Sequence, residues 1–312
     1  MGEAIPGIHH ITAICGAPQT NIDFYAGALR QRLVKQTVNF DDPGTYHLYY
    51  GDAAGTPGTI LTFFPFAGAA PGRAGPGMAS AFSYVIAGDG DALAALEMDL
   101  AEAGVAVEGP LERFGDTVIA FADPDGLRVE LVAEAGAAPL GAGGFHGITL
   151  WLDTFDKTHR LLTEIFGYDT VDEEAREGTV RRRLRAPGEA AGAVIDLVRR
   201  DGAPAGRPGT GTIHHVAFRA ETDAVQAEWR QRLLSAGFQV TPVIDRQYFN
   251  AIYFREPGGV LFEIATDPPG FAIDEPAETL GQTLKLPPRY EPHRAEIAQV
   301  LPSITLPEAA GR

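Results

Sequence analysis

The chain has 312 residues, 45% of them hydrophobic, which is enough for a large packed core in one or two domains. Its single cysteine, Cys15, excludes an internal disulfide framework and indicates a reducing compartment. The formal net charge of -16 argues against nucleic acid as a partner, because the average field repels phosphate backbones. The chain opens without a signal-like segment and contains no window of about 18 uninterrupted apolar residues, so we predict a cytoplasmic protein without a membrane span.

Four segments with related patterns follow one another along the chain. Each opens on a short β-rich run, continues with apolar residues at three- and four-residue spacing, and closes with further β-rich runs. The helix-like stretches of the second and fourth segments end at Gly104 and Gly237, and glycine just past the last periodic residue is a helix stop signal. The pattern therefore predicts one strand, one helix and three strands per module. The modules are 5–66, 79–134, 143–200 and 211–267, with Gly/Pro/Ala-rich linkers at 67–78, 135–143 and 201–210.

This module order resembles the vicinal oxygen chelate superfamily, whose βαβββ modules pair into eight-stranded, cup-shaped sheets with a metal at the open face. The resemblance implies an α+β protein of the glyoxalase/bleomycin-resistance/extradiol dioxygenase fold, with four modules forming two such sheets. In chain order, we group the modules into a first domain, 5–134, and a second domain, 143–267. The C-terminal extension, 268–312, contains an amphipathic stretch that we expect to pack against the modules or against a neighbouring subunit of a homo-oligomer.

Histidines and acids recur at equivalent places in the predicted modules. In the superfamily that the chain resembles, metal ligands come from the first and last strands of a module. The candidates of that kind are His9, His10, His146, His214, His215, Glu130, Asp196 and Glu263. The spacing supports the equivalence, because His214 precedes Glu263 by 49 positions and His146 precedes Asp196 by 50. Module one departs from the pattern, since its last predicted strand, 59–64, carries no acid.

The doubled histidines of modules one and four are the strongest candidates for a metal site. Side chains alternate across a strand, so we expect one histidine of each pair to point at a given metal. Glu263 lies in the apolar run 260–264, where a carboxylate would be costly to bury without a partner. Two imidazoles and one carboxylate leave coordination positions open for substrate and dioxygen, a set diagnostic of Fe(II) enzymes. We expect modules one and four to supply this set.

Isolated histidines are more often hydrogen-bonded structural residues than ligands, and we expect this for the four that stand alone. They are His47, His146, His159 and His293. Glu130 has a strand context similar to that of Glu263, but Arg128 offers it a local salt bridge and module two has no histidine to join it.

Several stretches look like hydroquinone-type ring-cleaving dioxygenases. They are residues 8–12, 46–52, 55–59 and 213–215 and the nearly continuous run from Asp245 to Glu263. The resemblance implies Fe(II) ligation by the second histidine of each pair and the last-strand acid, namely His10, His215 and Glu263. It also places five supporting residues around the metal, namely His9, Thr12, His214, Arg246 and Tyr253. Mn(II) prefers similar ligands and is the alternative metal.

The implied reaction opens a hydroquinone, or a related dihydroxylated aromatic ring, with O₂. The expected partners are thus a small aromatic substrate and O₂, with Fe(II) passing electron density from the ring to the oxygen. Tyr253 is suited to donate a hydrogen bond to oxygen, and Arg246 could stabilise negative charge. His9 or His214 could shuttle a proton when a hydroxyl ionises.

Three alternative functions stay open at this level. A catechol-type extradiol dioxygenase would place its site between modules three and four, through His146, His214 or His215, and Glu263, although Gly147 stands where the doubled motif would place its second histidine. A glyoxalase-like isomerase or lyase would want an acid from each paired module. A metal-free protein that binds a drug or a quinone would use the same fold without chemistry.

Overall fold

The computed structural model describes residues 4–307 except positions 89, 136, 139, 141, 142 and 189. Module one contains β1 Ile8–Cys15, α1 Pro18–Ile22, β2 Arg32–Asn39, β3 Asp42–Gly51 and β4 Ile60–Pro65. Module two contains β5 Met78–Ala87, α2 Gly90–Glu102, β6 Val107–Arg113, β7 Asp116–Ala122 and β8 Arg128–Glu134. Module three contains β9 Phe145–Trp151, α3 Asp156–Arg160, β10 Asp169–Arg176, β11 Thr179–Arg185 and β12 Val194–Arg200. Module four contains β13 Thr212–Ala220, α4 Asp223–Ser235, β14 Ile244–Asp245, β15 Phe249–Arg255 and β16 Leu261–Pro269, and α5 Arg294–Val300 follows in the C-terminal extension.

The strands form two eight-stranded sheets, as predicted. The first has the order β14-β15-β16-β13-β1-β4-β3-β2 and joins modules four and one through the antiparallel pair β13 and β1. The second has the order β10-β11-β12-β9-β5-β8-β7-β6 and joins modules three and two through β9 and β5. We call these sheets the outer cup and the inner cup, after the positions of their modules along the chain.

The grouping of modules in chain order, 5–134 with 143–267, does not coincide with these cups. Each module leaves one edge of its first strand free, and the backbone groups on that edge need a partner. The strands β5 and β9 satisfy each other, so β1 pairs with β13 from the far end of the chain. The linkers 67–78 and 201–210 run side by side between the cups, where Pro71 bridges to Thr210 and Arg73 to Arg207.

Local signals account for the long helices. Thr222 caps the N-terminus of α4 with its side chain, which accepts a hydrogen bond from the Val225 N–H. The predicted helix stops are confirmed, since Gly104 and Gly237 follow α2 and α4 with φ values of 80° and 89°.

Three elements depart from the uniform module pattern. The helices α1 and α3 have five residues each and continue into π-helical turns, Asp23–Ala28 and Leu161–Ile165. In module four, β14 has two residues. Pro242, just before it, has no N–H to donate to a neighbouring strand, which shortens the ladder beside β15.

The C-terminal extension packs against module one, as one of the two expected arrangements. The ammonium group of Lys35 in β2 is fully buried and contacts the carboxylates of Asp274 and Glu275. The Tyr46 hydroxyl in β3 donates to the Pro302 carbonyl over 3.1 Å. Residues 308–312 of the predicted extension lie outside the described residues. Within the described chain, no helix is long and apolar enough to cross a membrane.

Candidate metal centre

Each His-His pair lies at a β-bulge on the seam between β1 and β13. One bulge inserts His9 into β1 and the other inserts His214 into β13. A bulge interrupts the strict alternation of side chains. The Nδ1 atoms of His9 and His10 are therefore 2.9 Å apart, and those of His214 and His215 are 2.8 Å apart. In both pairs the first histidine contacts the ring of the second, instead of pointing away from it as simple alternation would require.

The second histidine of each pair meets Glu263 on the floor of the outer cup. Their strands are neighbours in the order β16-β13-β1. Glu263 Oε2 lies 2.9 Å from His215 Nε2 and 3.4 Å from His10 Nε2, and the two Nε2 atoms are 3.4 Å apart. All three residues are buried, and their potential ligand atoms lie within 4.8 Å of one another. The structure thus brings together the three residues that the sequence analysis selected as ligands.

The environment of Glu263 fits a cation. Neither of its carboxylate oxygens has a hydrogen-bond partner of acceptable geometry among the described residues, although the side chain is fully buried. Burial opposes ionisation, but the adjacent imidazoles of His10 and His215 outweigh it and lower the pKa of Glu263. A buried, ionised carboxylate without donors is costly unless a cation neutralises it. Two imidazole nitrogens and one carboxylate are ligands suited to a first-row divalent metal.

A cavity of about 380 Å³ opens above this triad. Its walls are largely aromatic, with Phe40, Tyr49, Phe64, Phe66, Phe249 and Tyr253 among the lining residues. Concave, mostly apolar cavities with a few polar groups are typical binding sites for small molecules. The cavity lining, which also includes His10, His215 and Glu263, favours a small aromatic ligand.

Arg246 and Tyr253 both line the cavity. They are therefore placed where the supporting role expected for them would require. The Arg246 Nε–H donates to the Tyr253 hydroxyl oxygen over 3.2 Å. A second nitrogen of the same guanidinium lies 3.0 Å from Asp41, a residue of module one that the sequence analysis did not select. Burial and the nearby Glu263 carboxylate raise the pKa of Tyr253 well above its ordinary value, so the phenol keeps its proton.

The other supporting residues occupy different positions. His214 lines the cavity, and burial lowers its pKa to about 4, so the ring is neutral at physiological pH. Within the described chain, His9 and Thr12 do not line the cavity. The His9 ring packs edge-on against Phe249 with a centroid distance of 5.3 Å. The Thr12 hydroxyl accepts a hydrogen bond of 2.8 Å from Thr62.

The sequence analysis missed His47 and Tyr49 as cavity residues. We expected His47 to be a hydrogen-bonded structural residue, and its Nδ1 does lie 2.8 Å from the Tyr49 hydroxyl, but both side chains also line the cavity. The signal was present in the strand pattern, because positions 47 and 49 of β3 share one face.

Thr62 occupies the position in module one where module four has its acid. It faces Tyr49 across β3 and β4, just as Glu263 faces Tyr253 across β15 and β16. The outer cup therefore has one acid instead of the symmetric pair that a glyoxalase-like site would use.

Glu130 and Asp196 occupy the corresponding positions of the inner cup, but arginines neutralise both. Arg113 binds Glu130 through two nitrogens, at 2.5 and 3.1 Å, while the predicted partner Arg128 adds a contact of 3.3 Å. Asp196 accepts hydrogen bonds from the guanidinium groups of Arg181 and Arg183.

His146 also belongs to the inner cup. Its Nδ1 lies 3.2 Å from the Ser83 hydroxyl, and its Nε2 lies 3.7 Å from Asp116. At Gly147 a Cβ atom would come within 2.3 Å of the Val194 carbonyl, so a histidine there would have no space. His146 and Glu263 lie in different sheets, and the group of possible metal ligands found among the described residues contains Glu263 with His10 and His215 but not His146.

The paired βαβββ modules, with their cup-shaped sheets, define a protein of the glyoxalase-fold class. A family model described as "Glyoxalase/Bleomycin resistance protein/Dioxygenase superfamily" matches residues 7–131 and 144–264, and the chain belongs to that superfamily.

Curated relatives and solved structures match over most of the chain. A Bacillus subtilis protein named as ring-cleaving dioxygenase MhqO is 50% identical over 314 residues, covering 96% of this chain and 97% of the relative. The chlorohydroquinone/hydroquinone 1,2-dioxygenase of Sphingobium indicum is 32% identical over 324 residues, with coverage of 96% and 97%. A crystal structure from Bacillus subtilis, described as that of a dioxygenase, is 48% identical with a TM-score of 0.91 and covers 99% of this chain and 100% of its own. A glyoxalase I variant from Zea mays shares the fold, with a TM-score of 0.64 at 16% identity, over 84% of this chain and 92% of its own.

Proposed function

We propose that the protein is a ring-cleaving dioxygenase that opens hydroquinone, or a substituted hydroquinone, with O₂ at a single Fe(II). The observation that carries the proposal is the buried Glu263 carboxylate, which has no hydrogen-bond partner among the described residues and lies beside two imidazoles beneath an aromatic cavity. The 50% identity to the relative named as MhqO and the 32% identity to the hydroquinone 1,2-dioxygenase support the reaction class.

The metal would be held by His10 and His215 through their Nε2 atoms and by Glu263 through its carboxylate. When bound, Fe(II) supplies a centre at which a phenolate and O₂ can meet, so that electrons pass from the ring to the oxygen. His9 and His214 contact the Nδ1 atoms of the two ligand histidines at 2.9 and 2.8 Å. Such contacts fix the orientation of a ligand ring, which is the role we assign to the first histidine of each pair.

Arg246 and Tyr253 act on the substrate side of the site. Tyr253 is protonated, because burial and Glu263 raise its pKa, so it can donate a hydrogen bond to a reacting oxygen. Arg246 contacts the Tyr253 hydroxyl and keeps its positive charge, which stabilises negative charge as it develops nearby. The aromatic walls of the cavity would pack against the substrate ring and limit its orientation relative to the triad.

The test is oxygen uptake by enzyme reconstituted with Fe(II) under anaerobic conditions. Hydroquinone, methylhydroquinone, chlorohydroquinone and catechol are compared in an oxygen electrode, and the products are identified by mass. We expect faster uptake with the para-diols, because catechol chelates a metal by itself whereas a para-diol depends on protein donors to hold it. Much faster cleavage of catechol would contradict the substrate assignment.

Metal analysis of protein purified without oxygen distinguishes iron from manganese and an enzyme from a metal-free binding protein. Iron at about one atom per chain supports the proposal, whereas manganese in its place would indicate the alternative metal. Protein that retains no metal would favour a ligand-binding role. Isomerisation of a thiol adduct of an α-ketoaldehyde, without oxygen uptake, would indicate glyoxalase-like chemistry. The cytoplasmic location and a homo-oligomeric assembly stay predictions.

A further inference from the structure

A second polar cluster lies on the module one side of the cavity, apart from the metal triad. It is a continuous chain of hydrogen bonds through four side chains. The Tyr49 hydroxyl lies 2.8 Å from Nδ1 of His47, and Nε2 of His47 lies 2.8 Å from the Thr62 hydroxyl. The Thr62 hydroxyl in turn lies 2.8 Å from that of Thr12. Tyr49 and His47 line the cavity, whereas the two threonines lie behind them.

All four side chains are buried, and none belongs to the ligand triad. Tyr49 is 1% exposed and His47 is 9% exposed. Buried polar groups destabilise a fold unless they are hydrogen-bonded, so such a chain is ordinarily retained only where every member is satisfied. Three of the four side chains, those of His47, Thr62 and Thr12, can form their hydrogen bonds within this cluster. The Tyr49 hydroxyl is the member at the cavity, where a ligand can complete its hydrogen bonds.

The pseudo-symmetry of the outer cup gives Tyr49 a counterpart. Tyr49 faces Thr62 across its strand pair, and Tyr253 faces Glu263 across the equivalent pair in module four. The two tyrosines thus stand at equivalent positions on opposite halves of the cup. Their partners differ, because Tyr253 contacts the cationic Arg246 whereas Tyr49 contacts the imidazole of His47.

The His47 imidazole sets the polarity of this position. Burial, and next the neighbouring His10, lower the pKa of His47 well below its ordinary value, so the ring is neutral. When Nε2–H donates to Thr62, Nδ1 is left to accept the Tyr49 proton, and the Tyr49 oxygen is then an acceptor for a ligand hydroxyl. The module one side therefore offers an acceptor, opposite the donor that Tyr253 offers on the module four side.

We propose that Tyr49, oriented by His47, binds the second hydroxyl of the substrate, at the end of the ring away from the metal. The proposal rests on the proposed function, because it assumes a para-diol with one oxygen at the triad. Tyr49 would contact the substrate, while His47 and Thr62 are positioning residues. The position would select ligands with a hydroxyl opposite the metal-bound end over phenols that lack one.

The experiment measures ligand binding without turnover. Fe(II)-loaded protein is titrated anaerobically, by calorimetry, with hydroquinone, phenol and 4-methoxyphenol. One hydrogen bond of ordinary strength predicts that the wild type binds hydroquinone about 3- to 10-fold more tightly than the other two. In Tyr49→Phe this preference should fall to about one, with iron content unchanged.

Two further variants separate a binding role from a structural one. Tyr50→Phe is the matched control, because Tyr50 is the next residue of β3, is fully buried and donates to Asn21 over 2.9 Å, away from the cavity. It should lose stability and keep the preference for hydroquinone. His47→Leu should weaken the preference, and His47→Gln, whose amide can hydrogen-bond both neighbours, should restore part of it.

The proposal that Tyr49 binds the second hydroxyl is overturned if Tyr49→Phe keeps the preference for hydroquinone. It is also overturned if the wild type binds the three ligands equally or binds none of them. If Tyr49→Phe does not fold, equal preferences in His47→Leu and the wild type overturn it instead. Selective anaerobic binding of hydroquinone that disappears in Tyr49→Phe supports it, even where the wild type then consumes no oxygen. That last outcome would contradict the proposed reaction alone.

Discussion

In the outer cup, the last-strand acid Glu263 lies beneath a cavity of about 380 Å³, whereas in the inner cup the space that Glu130 and Asp196 share is about 10 Å³ and a further space beside Glu130 is about 40 Å³. The two cups have the same strand plan, and these acids occupy equivalent positions in it. The difference lies in the residues that face each acid. Arginines fill the inner cup, and histidines border the outer one.

The contrast shows how a buried carboxylate is balanced. Arg113 brings Glu130 a positive charge and fills much of the space beside it. His10 and His215 bring Glu263 lone pairs and no permanent charge, so the carboxylate still requires a cation. The same scaffold thus gives an ion-pair core in one half and a candidate metal centre in the other.

Removing one of the metal-binding side chains of the outer cup should have the largest effect, because it abolishes the feature that distinguishes this cup from the inner one. His10→Ala, His215→Ala and Glu263→Ala should each abolish metal retention and reduce oxygen uptake to background, because two donors cannot hold the metal in an open site. Metal analysis and circular dichroism check retention and folding. His146→Ala, in the inner cup, is the control and should keep its metal and most of its activity. Full iron content in the three ligand variants would refute the assignment.

Breaking the inner ion pairs should affect stability instead of metal content. Arg113→Ala leaves Glu130 buried without its main partner and should lower the free energy of unfolding by about 3–5 kcal/mol, as measured in urea. Arg128→Ala is the matched control, because Arg128 is a third exposed and should cost below about 1 kcal/mol. A loss of iron from folded Arg113→Ala would show that the inner cup also influences the metal site.

Tyr253, which lines the cavity of the outer cup and has no role in binding the metal, should affect turnover without affecting metal content. Tyr253→Phe removes one hydroxyl, in contact with Arg246, and should lower kcat by about 10- to 100-fold while iron content stays the same. Single-turnover measurements with hydroquinone separate this effect from weaker binding. An unchanged rate would remove Tyr253 from the mechanism.

The inner cup should also make the protein sensitive to acid. Burial lowers the pKa of His146 to about 4 from an ordinary value of 6.5, so the neutral form stabilises the fold. This contribution is complete above pH 6.5 and is lost as the pH falls toward 4. Between pH 7 and pH 5 the free energy of unfolding should therefore fall by up to about 2 kcal/mol through this histidine. Urea unfolding at both pH values should show a smaller difference for His146→Gln than for the wild type, and equal differences would contradict the assignment.

The chain sequence by itself determined the module pattern and the composition of the candidate triad. Strand and helix periodicity, together with stops such as Gly104 and Gly237, are local signals, because they depend on the backbone geometry of neighbouring residues. The doubled histidines and Glu263 were visible because polar residues of this kind stand out in apolar strands.

Only the tertiary structure decided how the modules pair into sheets and which further side chains meet around the expected triad. The contact of Arg113 with Glu130 and that of Asp41 with Arg246 depend on strand register and on cups closed between distant segments. The bulge at His9 likewise needs β13 opposite β1. His47 looked like an isolated histidine because its importance comes from a cavity wall that exists only after β3 and β15 join one sheet. Local periodicity carries no record of such distant neighbours, which is the physical reason that these individual contacts could not be predicted, although modules one and four were expected to share the metal site.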